Sequence, residues 1–411
     1  MSLNVYYRNN LVGTLRYRDQ ESRIHFDYSN DWINSLDSFP ISQSLPLSGD
    51  YKRGTADHRF FANLLPEAAA RETICRGLGI SIDNDYELLA AIGGECAGAL
   101  RIVPEEGNKT DVYDYEPISD TDLKKAIDTR ISYTRLSAGG KLRLSLAGAQ
   151  DKWPVYFDGA RLYWPLGSAP SSHILKFASR DYKGLNWNEA YISFIAGHLG
   201  LPAVDVSIGN GYSLTQRYDR IKDENGTIYR LHQEDFCQAM GYPYYKKYES
   251  DGGPSFRDCI GMLKTISISS AKDQISLLRW QILNLLLGNS DGHAKNISIL
   301  YAENGPELSA FYDLVCTSVY PGISKHLAFS VGGNADPGQI RGEDWNRFAA
   351  ELGMRPAIIL KTLNTFSEML QDNLVDYHKE FVAQNGTDPV LDRIDQAIRK
   401  QLRRTQTLLE G

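Results

Sequence analysis

The segment Gly288-Asn-Ser-Asp291-Gly-His-Ala-Lys-Asn296 most restricts what this chain can fold into, because it sets one polar spacing between two apolar elements. Before it, Ile275–Leu287 reads as an apolar helix; after it, Ile297–Leu300 reads as a short strand. Asp291 and Asn296 stand in a D-x-x-x-x-N spacing. In a phosphotransfer loop that spacing lets the aspartate accept a hydroxyl proton while the asparagine turns back to a metal ion. Seventeen residues after Asn296, Phe311-Tyr312-Asp313-Leu314 sets an aspartate between large apolar residues, placed to hold Mg²⁺. Asp, His and Asn are also common turn residues, so a structural loop explains either piece taken alone.

Three upstream features complete an order. In Ser145-Leu-Ala147-Gly148-Ala149-Gln150-Asp151-Lys152, small residues between two strand-like runs let backbone N–H groups approach phosphate oxygens. A tight hairpin turn accounts for the same residues, and the GxxxxGK[ST] pattern of a P-loop is missing. His173-Ile-Leu-Lys176 ends an apolar strand on a lysine, whose ammonium is costly to bury unless it meets an anion. Thirteen residues on, Glu189 falls in the first turn of an amphipathic helix, where it either pairs with that lysine or only favours the helix N-terminus. Loop, strand lysine, helix glutamate, D-x-x-x-x-N and a downstream aspartate is the protein-kinase order. Five elements in sequence speak against coincidence. His293 reads as a loop-shaping residue near the phosphates, because a carboxylate already holds the base position. Lys247-Tyr-Glu-Ser-Asp-Gly-Gly-Pro254 reads as an exposed turn, with substrate docking as the alternative.

At 411 residues the chain exceeds the size at which one core keeps growing, so two or three packed units are expected. Residues 1–104 read as a small α+β unit, opening with a hairpin turned at Asn9-Asn10 and carrying one helix over Asp57–Ile80, capped by Asp57 and bent at Pro66. Residues 105–129 are polar and read as a connection, 130–230 as a strand-rich, kinase-like N-lobe, and 231–411 as a helical lobe with the catalytic loop. The five cysteines are odd in number and form no CxxC pair, which argues against a disulfide framework and a zinc site. A net charge of −7 gives no field drawing the chain to nucleic acid. The first residues lack a basic, then apolar, leader pattern, and no run approaches the ~18 apolar residues of a membrane helix, so a cytoplasmic location is expected.

The blocks SLAGAQDK, HILK, NEAY, RYDR, QEDFCQ, KYESDGGP, GNSDGHAKN and FYDL, with VGTL, SLPL, FFANLLPE and IGGECAGA nearer the start, resemble the signature blocks of the HipA kinases. These are the toxin halves of HipBA toxin–antitoxin modules. The resemblance covers most of the chain and implies an α+β, two-lobed protein-kinase-like fold with an extra N-terminal subdomain and a helical C-terminal lobe. It also implies a serine/threonine kinase using ATP and Mg²⁺, with Asp291 as base and Asn296 and Asp313 on the metal. Nucleotide contacts would fall on Ala147 to Lys152, on Lys176, on the hinge Gln216, Arg217 and Tyr218, on His293, Ala294, Lys295 and Asn296, and on Tyr312 and Asp313. Ser145 matches the family's inhibitory autophosphorylation serine. Two departures stand out: Gln216 replaces an acidic hinge residue, and ELGMRP lacks the basic pair that touches operator DNA in a well-known relative. By resemblance the partner is a helix-turn-helix antitoxin of HipB type, DNA is reached only through it, and the substrate is a translation factor, glutamyl-tRNA synthetase being the best-known example. A small-molecule phosphotransferase and a non-catalytic co-repressor are the alternatives; intact Lys176, Asp291, Asn296 and Asp313 speak against the second.

Overall fold

Alternating apolar residues build the N-terminal sheet: Leu3 and Val5 are buried between half-exposed neighbours along the strand Ser2–Tyr7. In the computed structural model, which describes residues 2–18, 23–105, 113–129 and 152–410, this strand lies between Asn10–Arg18 and Leu100–Pro104, with Arg23–Tyr28 at the far edge. All pairings are antiparallel. Tyr7 pairs with Asn10, so the hairpin turns on Arg8-Asn9, one residue earlier than expected, with Arg8 at φ +53°. Leu15, Phe26, Trp32, Phe60, Phe61 and Leu89 fill the core over this sheet.

The single helix expected over Asp57–Ile80 is two, Ala56–Ala62 and Ala68–Leu78. Pro66 lacks an N–H and disfavours helical backbone at Leu65, which separates them. Asp57 is not the cap. It lies inside the first helix with its carboxylate turned to the sheet, accepting from Phe26 N at 3.0 Å. Gly79, in left-handed backbone at φ +70°, ends the second helix.

The chain forms two compact units. The first comprises Met1–Phe177, Leu214–Tyr245 and Leu300–Ala302, so the expected connection at 105–129 falls within it. There the described residues form an edge strand, Tyr113–Pro117, and a helix, Asp120–Thr129. The sheet continues through Leu162–Gly167, Lys152–Phe157, His173–Phe177 and Tyr212–Gln216, in that order. Trp153 packs on Trp164 and Phe177, with ring centroids 4.7 and 4.6 Å away.

A buried ionic cluster joins the N-terminal segment to these strands. Glu95 takes Arg217 Nη1 at 3.2 Å and Arg220 Nη2 at 2.8 Å on one oxygen, and Arg230 on the other. Burial alone would raise the Glu95 carboxyl, but Arg230, Arg220 and Arg217 together overcome it and hold it well below the usual range.

The second unit, Ala178–Ser213, Lys246–Ile299 and Glu303–Gly411, is mostly helical. Its centre is Ser270–Leu287, where Leu277, Leu278, Trp280, Ile282, Leu283 and Leu286 are fully buried. Phe256–Ile266, Gly342–Leu352, Pro356–Asn385 and Pro389–Glu410 pack around it and around Leu185–His198. Tyr191 on Leu185–His198 donates to Asp395 at 2.8 Å, and His378 meets the other Asp395 oxygen at 2.8 Å. All five cysteines are buried free thiols, and no described helix is long and apolar enough to cross a membrane.

Candidate active site

The loop after the central helix is held by its own neighbours. Gly288 ends the helix at φ +68°, and a Cβ there would lie 2.5 Å from Ser318 Oγ, so only glycine fits. Asn289 N donates to Asn284 O at 2.8 Å, and Asn289 Oδ1 accepts from Asp291 N at 3.0 Å. Ser290 N donates to Thr317 Oγ1 at 2.8 Å, and that hydroxyl donates to Gly288 O at 3.1 Å. Asp291 O then accepts twice, from His293 N at 2.9 Å and Asn296 Nδ2 at 2.7 Å. The D-x-x-x-x-N spacing therefore closes a local ring. The backbone of Asp291 is tied down while its side chain remains 53% exposed, as a group that must meet a substrate hydroxyl needs to be.

The segment carrying Asp313 is tied to the same loop. Tyr312 Oη donates to Lys295 O at 2.8 Å and lies 2.7 Å from Ser298 Oγ, which joins the residue before Asp313 to the residue before Asn296. Phe311 stacks on Trp280 with centroids 5.8 Å apart. Asp313 has φ +53°, a left-handed backbone conformation that is uncommon for any residue but glycine and concentrates at functional positions. Beyond it, buried Asn188 accepts from Cys316 N at 2.8 Å and donates to Cys316 O at 3.0 Å.

Asn296 spends one amide hydrogen on Asp291 O at 2.7 Å, which leaves its carbonyl oxygen outside that bond. Among the described residues no group of three or more His, Cys, Asp and Glu side chains gathers as a metal cage.

Glu189 stands in the second turn of Leu185–His198, not the first, and is 2% exposed. A preference for the helix N-terminus does not account for burying that carboxylate. His293 is also buried, and burial first, then Lys247 and Lys295, lowers it well below the ordinary imidazole range, so the ring is neutral. Ala294, Lys295 and Asn296 form a buried single turn after it. Sequence reasoning missed Tyr248. It lies in the segment expected to be a turn, yet its hydroxyl donates to Asp291 Oδ1 and its ring stands edge-on to His293 at 5.0 Å.

The remaining expected residues belong to the first unit. Lys176 is buried in the strand His173–Phe177, one residue from its end and directly opposite Lys152 in antiparallel register. Residues directly opposite in this register share one face of the sheet. Gln216 is exposed at the end of Tyr212–Gln216. The Arg217 side chain turns inward to Asp219, Glu95 and the carbonyl of Cys96, and its N–H donates to Ser172 O at 3.1 Å. That guanidinium serves the buried cluster. Tyr218 donates to Gln233. Ser145, Ala147, Gly148, Ala149, Gln150 and Asp151 lie outside the described residues.

Comparison with known proteins decides the family. Residues 3–103 match the HipA N-terminal domain, and residues 144–374, more than half the chain, match the HipA-like C-terminal domain. The chain belongs to the HipA family. It is 35% identical to Y4mE of Sinorhizobium fredii over 390 residues, 93% of this chain and 91% of that one. It is 28% identical over 394 residues to the serine/threonine-protein kinase toxin HipA of Shewanella oneidensis, covering 92% of this chain and 89% of the relative. A solved complex of Shewanella oneidensis HipA, HipB and operator DNA superposes with a TM-score of 0.86 at 25% identity, over 99% of this chain and 98% of that one. The fold is that of HipA, α+β with a helical C-terminal part.

Proposed function

We propose that this HipA-family chain is an ATP-dependent serine/threonine protein kinase and the toxin of a toxin–antitoxin pair. The observation that carries the reading is Asp291: a carboxylate with its backbone fixed by Asn296 and its side chain half open, on a loop tied through Tyr312 to the segment of Asp313. The name of the Shewanella oneidensis relative and its complex with HipB and operator DNA support the toxin role and a helix-turn-helix antitoxin as partner.

In the reaction Asp291 accepts the proton of a substrate serine or threonine hydroxyl as its oxygen bonds to the γ-phosphorus of ATP. The bond from that phosphorus to the bridging oxygen breaks, and ADP leaves. Asn296 and Asp313 would hold magnesium, which when bound neutralises charge on the phosphates. Lys176 and Lys152 would bind phosphate oxygens. The substrate is proposed to be an aminoacyl-tRNA synthetase, with glutamyl-tRNA synthetase the first to try. Ser145 is proposed as the site of self-inactivation.

Asp291→Asn tests the reading. Loss of a general base costs about 10²- to 10⁴-fold in turnover. The variant should melt with wild type and transfer almost no radiolabelled γ-phosphate to glutamyl-tRNA synthetase or to the chain itself. Wild-type turnover by Asp291→Asn would refute the assignment.

A further inference from the structure

The segment Lys247–Pro254 has no part in the mechanism above, yet it is built onto the catalytic loop. Lys247 O accepts from Ala294 N at 3.2 Å, and Tyr248 Oη donates to Asp291 Oδ1, so two consecutive residues bind both arms of the loop. The Tyr248 ring is fixed by His293, standing at 85° to it. The turn behind Tyr248 explains the paired glycines. Gly252 lies at φ +76°, and a Cβ on Gly253 would come within 2.3 Å of Lys246 O, so the chain closes back on itself only without side chains there. Gly253 N and Asp251 N both donate to Tyr248 O, at 3.0 and 3.1 Å. Glu249 anchors the other side, accepting from Ser330 N at 2.6 Å.

This arrangement does one thing for the base. Asp291 is half exposed, and a carboxylate on an exposed stem turns among rotamers unless something holds it. His293 and Tyr248 both approach its Oδ1. His293 Nε2 is 3.8 Å from Oδ1, beyond hydrogen-bond reach, whereas the Tyr248 hydroxyl bonds that oxygen directly. With Oδ1 held, Oδ2 is presented to an incoming hydroxyl in one orientation.

We infer that Tyr248 is a positioning residue of this kinase: its hydroxyl holds the Asp291 carboxylate by one oxygen so that the other is aimed at the substrate Ser or Thr hydroxyl. The inference rests on the kinase reading above and deepens it. It assigns the KYESDGGP block to orienting the base, in addition to shaping a turn.

Tyr248→Phe keeps the ring against His293 and removes only the hydroxyl. Misplacement of a reacting group by about 1 Å costs up to ~10²-fold, and loss of one orienting bond should lower kcat about tenfold. ATP titration by calorimetry and the KM for ATP should stay within about twofold of wild type, because Tyr248 acts through the base and not on the nucleotide. A double-mutant cycle supplies the readout that a merely structural role would not move. In an Asp291→Ala background, where no carboxylate remains to orient, adding Tyr248→Phe should cause no further loss of label transfer. Three results would overturn the inference: wild-type kcat for Tyr248→Phe, a parallel loss of ATP binding, or a full additional loss in the Asp291→Ala background. Failure of the kinase reading is distinguishable, because then wild-type protein transfers no label or Asp291→Ala transfers as much as wild type.

Discussion

Glu234 offers a stability experiment whose size follows from the structure. The residue lies in the strand His232–Asp235, 1% exposed. Its Oε1 accepts from Tyr301 Oη at 2.6 Å and Gln43 N at 3.0 Å, while Oε2 has no hydrogen-bond partner among the described residues. Burial outweighs those bonds and pushes the carboxyl from its ordinary 4.5 up to about 7. The folded protein therefore binds this proton more tightly than the unfolded chain. The resulting stability is complete below about pH 4.5 and is lost as pH rises through about 7. At about 1.4 kcal/mol per unit, ionising Glu234 within the fold costs about 3 kcal/mol. Glu234→Gln is neutral at every pH and has nearly the shape of the protonated acid. Urea unfolding of both proteins at intervals from pH 5 to pH 8.5 should give similar stabilities at the acid end, with the glutamine variant ahead by about 3 kcal/mol at the alkaline end. Parallel curves across this range would show that Glu234 gives up its proton equally readily in the folded and the unfolded chain, and the argument from its burial would fail.

Two further outcomes address the nucleotide and its control. Calorimetry should show Asp313→Ala weakening Mg·ATP far more than metal-free ATP, and Lys176→Ala weakening both; equal losses for Asp313→Ala would remove it from the metal site. Incubation with Mg·ATP should add one phosphate to wild type and none to Ser145→Ala, read by intact mass, and the modified protein should no longer bind ATP, because a phosphoserine adds roughly −1.5 to −2 charge beside the nucleotide phosphates.

The geometry of the loop was legible because its parts are close in sequence. Asp291 and Asn296 form one hydrogen-bonded turn, so their spacing encodes their geometry. The strand carrying Lys176 was legible too, since an apolar run ending near a lysine marked its bounds to within a residue. Tyr248 was not. Its Gly-Gly-Pro tail shows that the chain turns, but no local pattern says that the turn docks 43 residues downstream on Asp291. Arg217 illustrates the same limit, for it stood in a block matched to nucleotide contacts, whereas its guanidinium reaches Glu95 across 122 positions. Asp57 looked like a helix cap because Asp before an apolar periodic run usually is one. Only the packed sheet, whose Phe26 N–H needed an acceptor, reveals the other use.

The loop also shows why function here is separable from stability. Its backbone groups are satisfied by Asn284, Thr317 and Lys247 and by one another, so its shape does not depend on the Asp291 carboxylate. A half-exposed acid on a self-supporting loop is free to be chosen for reactivity alone. Asp313 stands differently. Its left-handed backbone carries a strain of about 1 to 3 kcal/mol that surrounding structure must sustain, and that structure is visible in the bonds of Tyr312 to Lys295 and of Asn188 to Cys316 on either side. Arg8 takes the same backbone conformation at a hairpin turn, so what singles out Asp313 is that conformation on a segment tied through Tyr312 to the base loop, and titration of Asp313→Ala with and without magnesium tests whether the position is kept for a ligand.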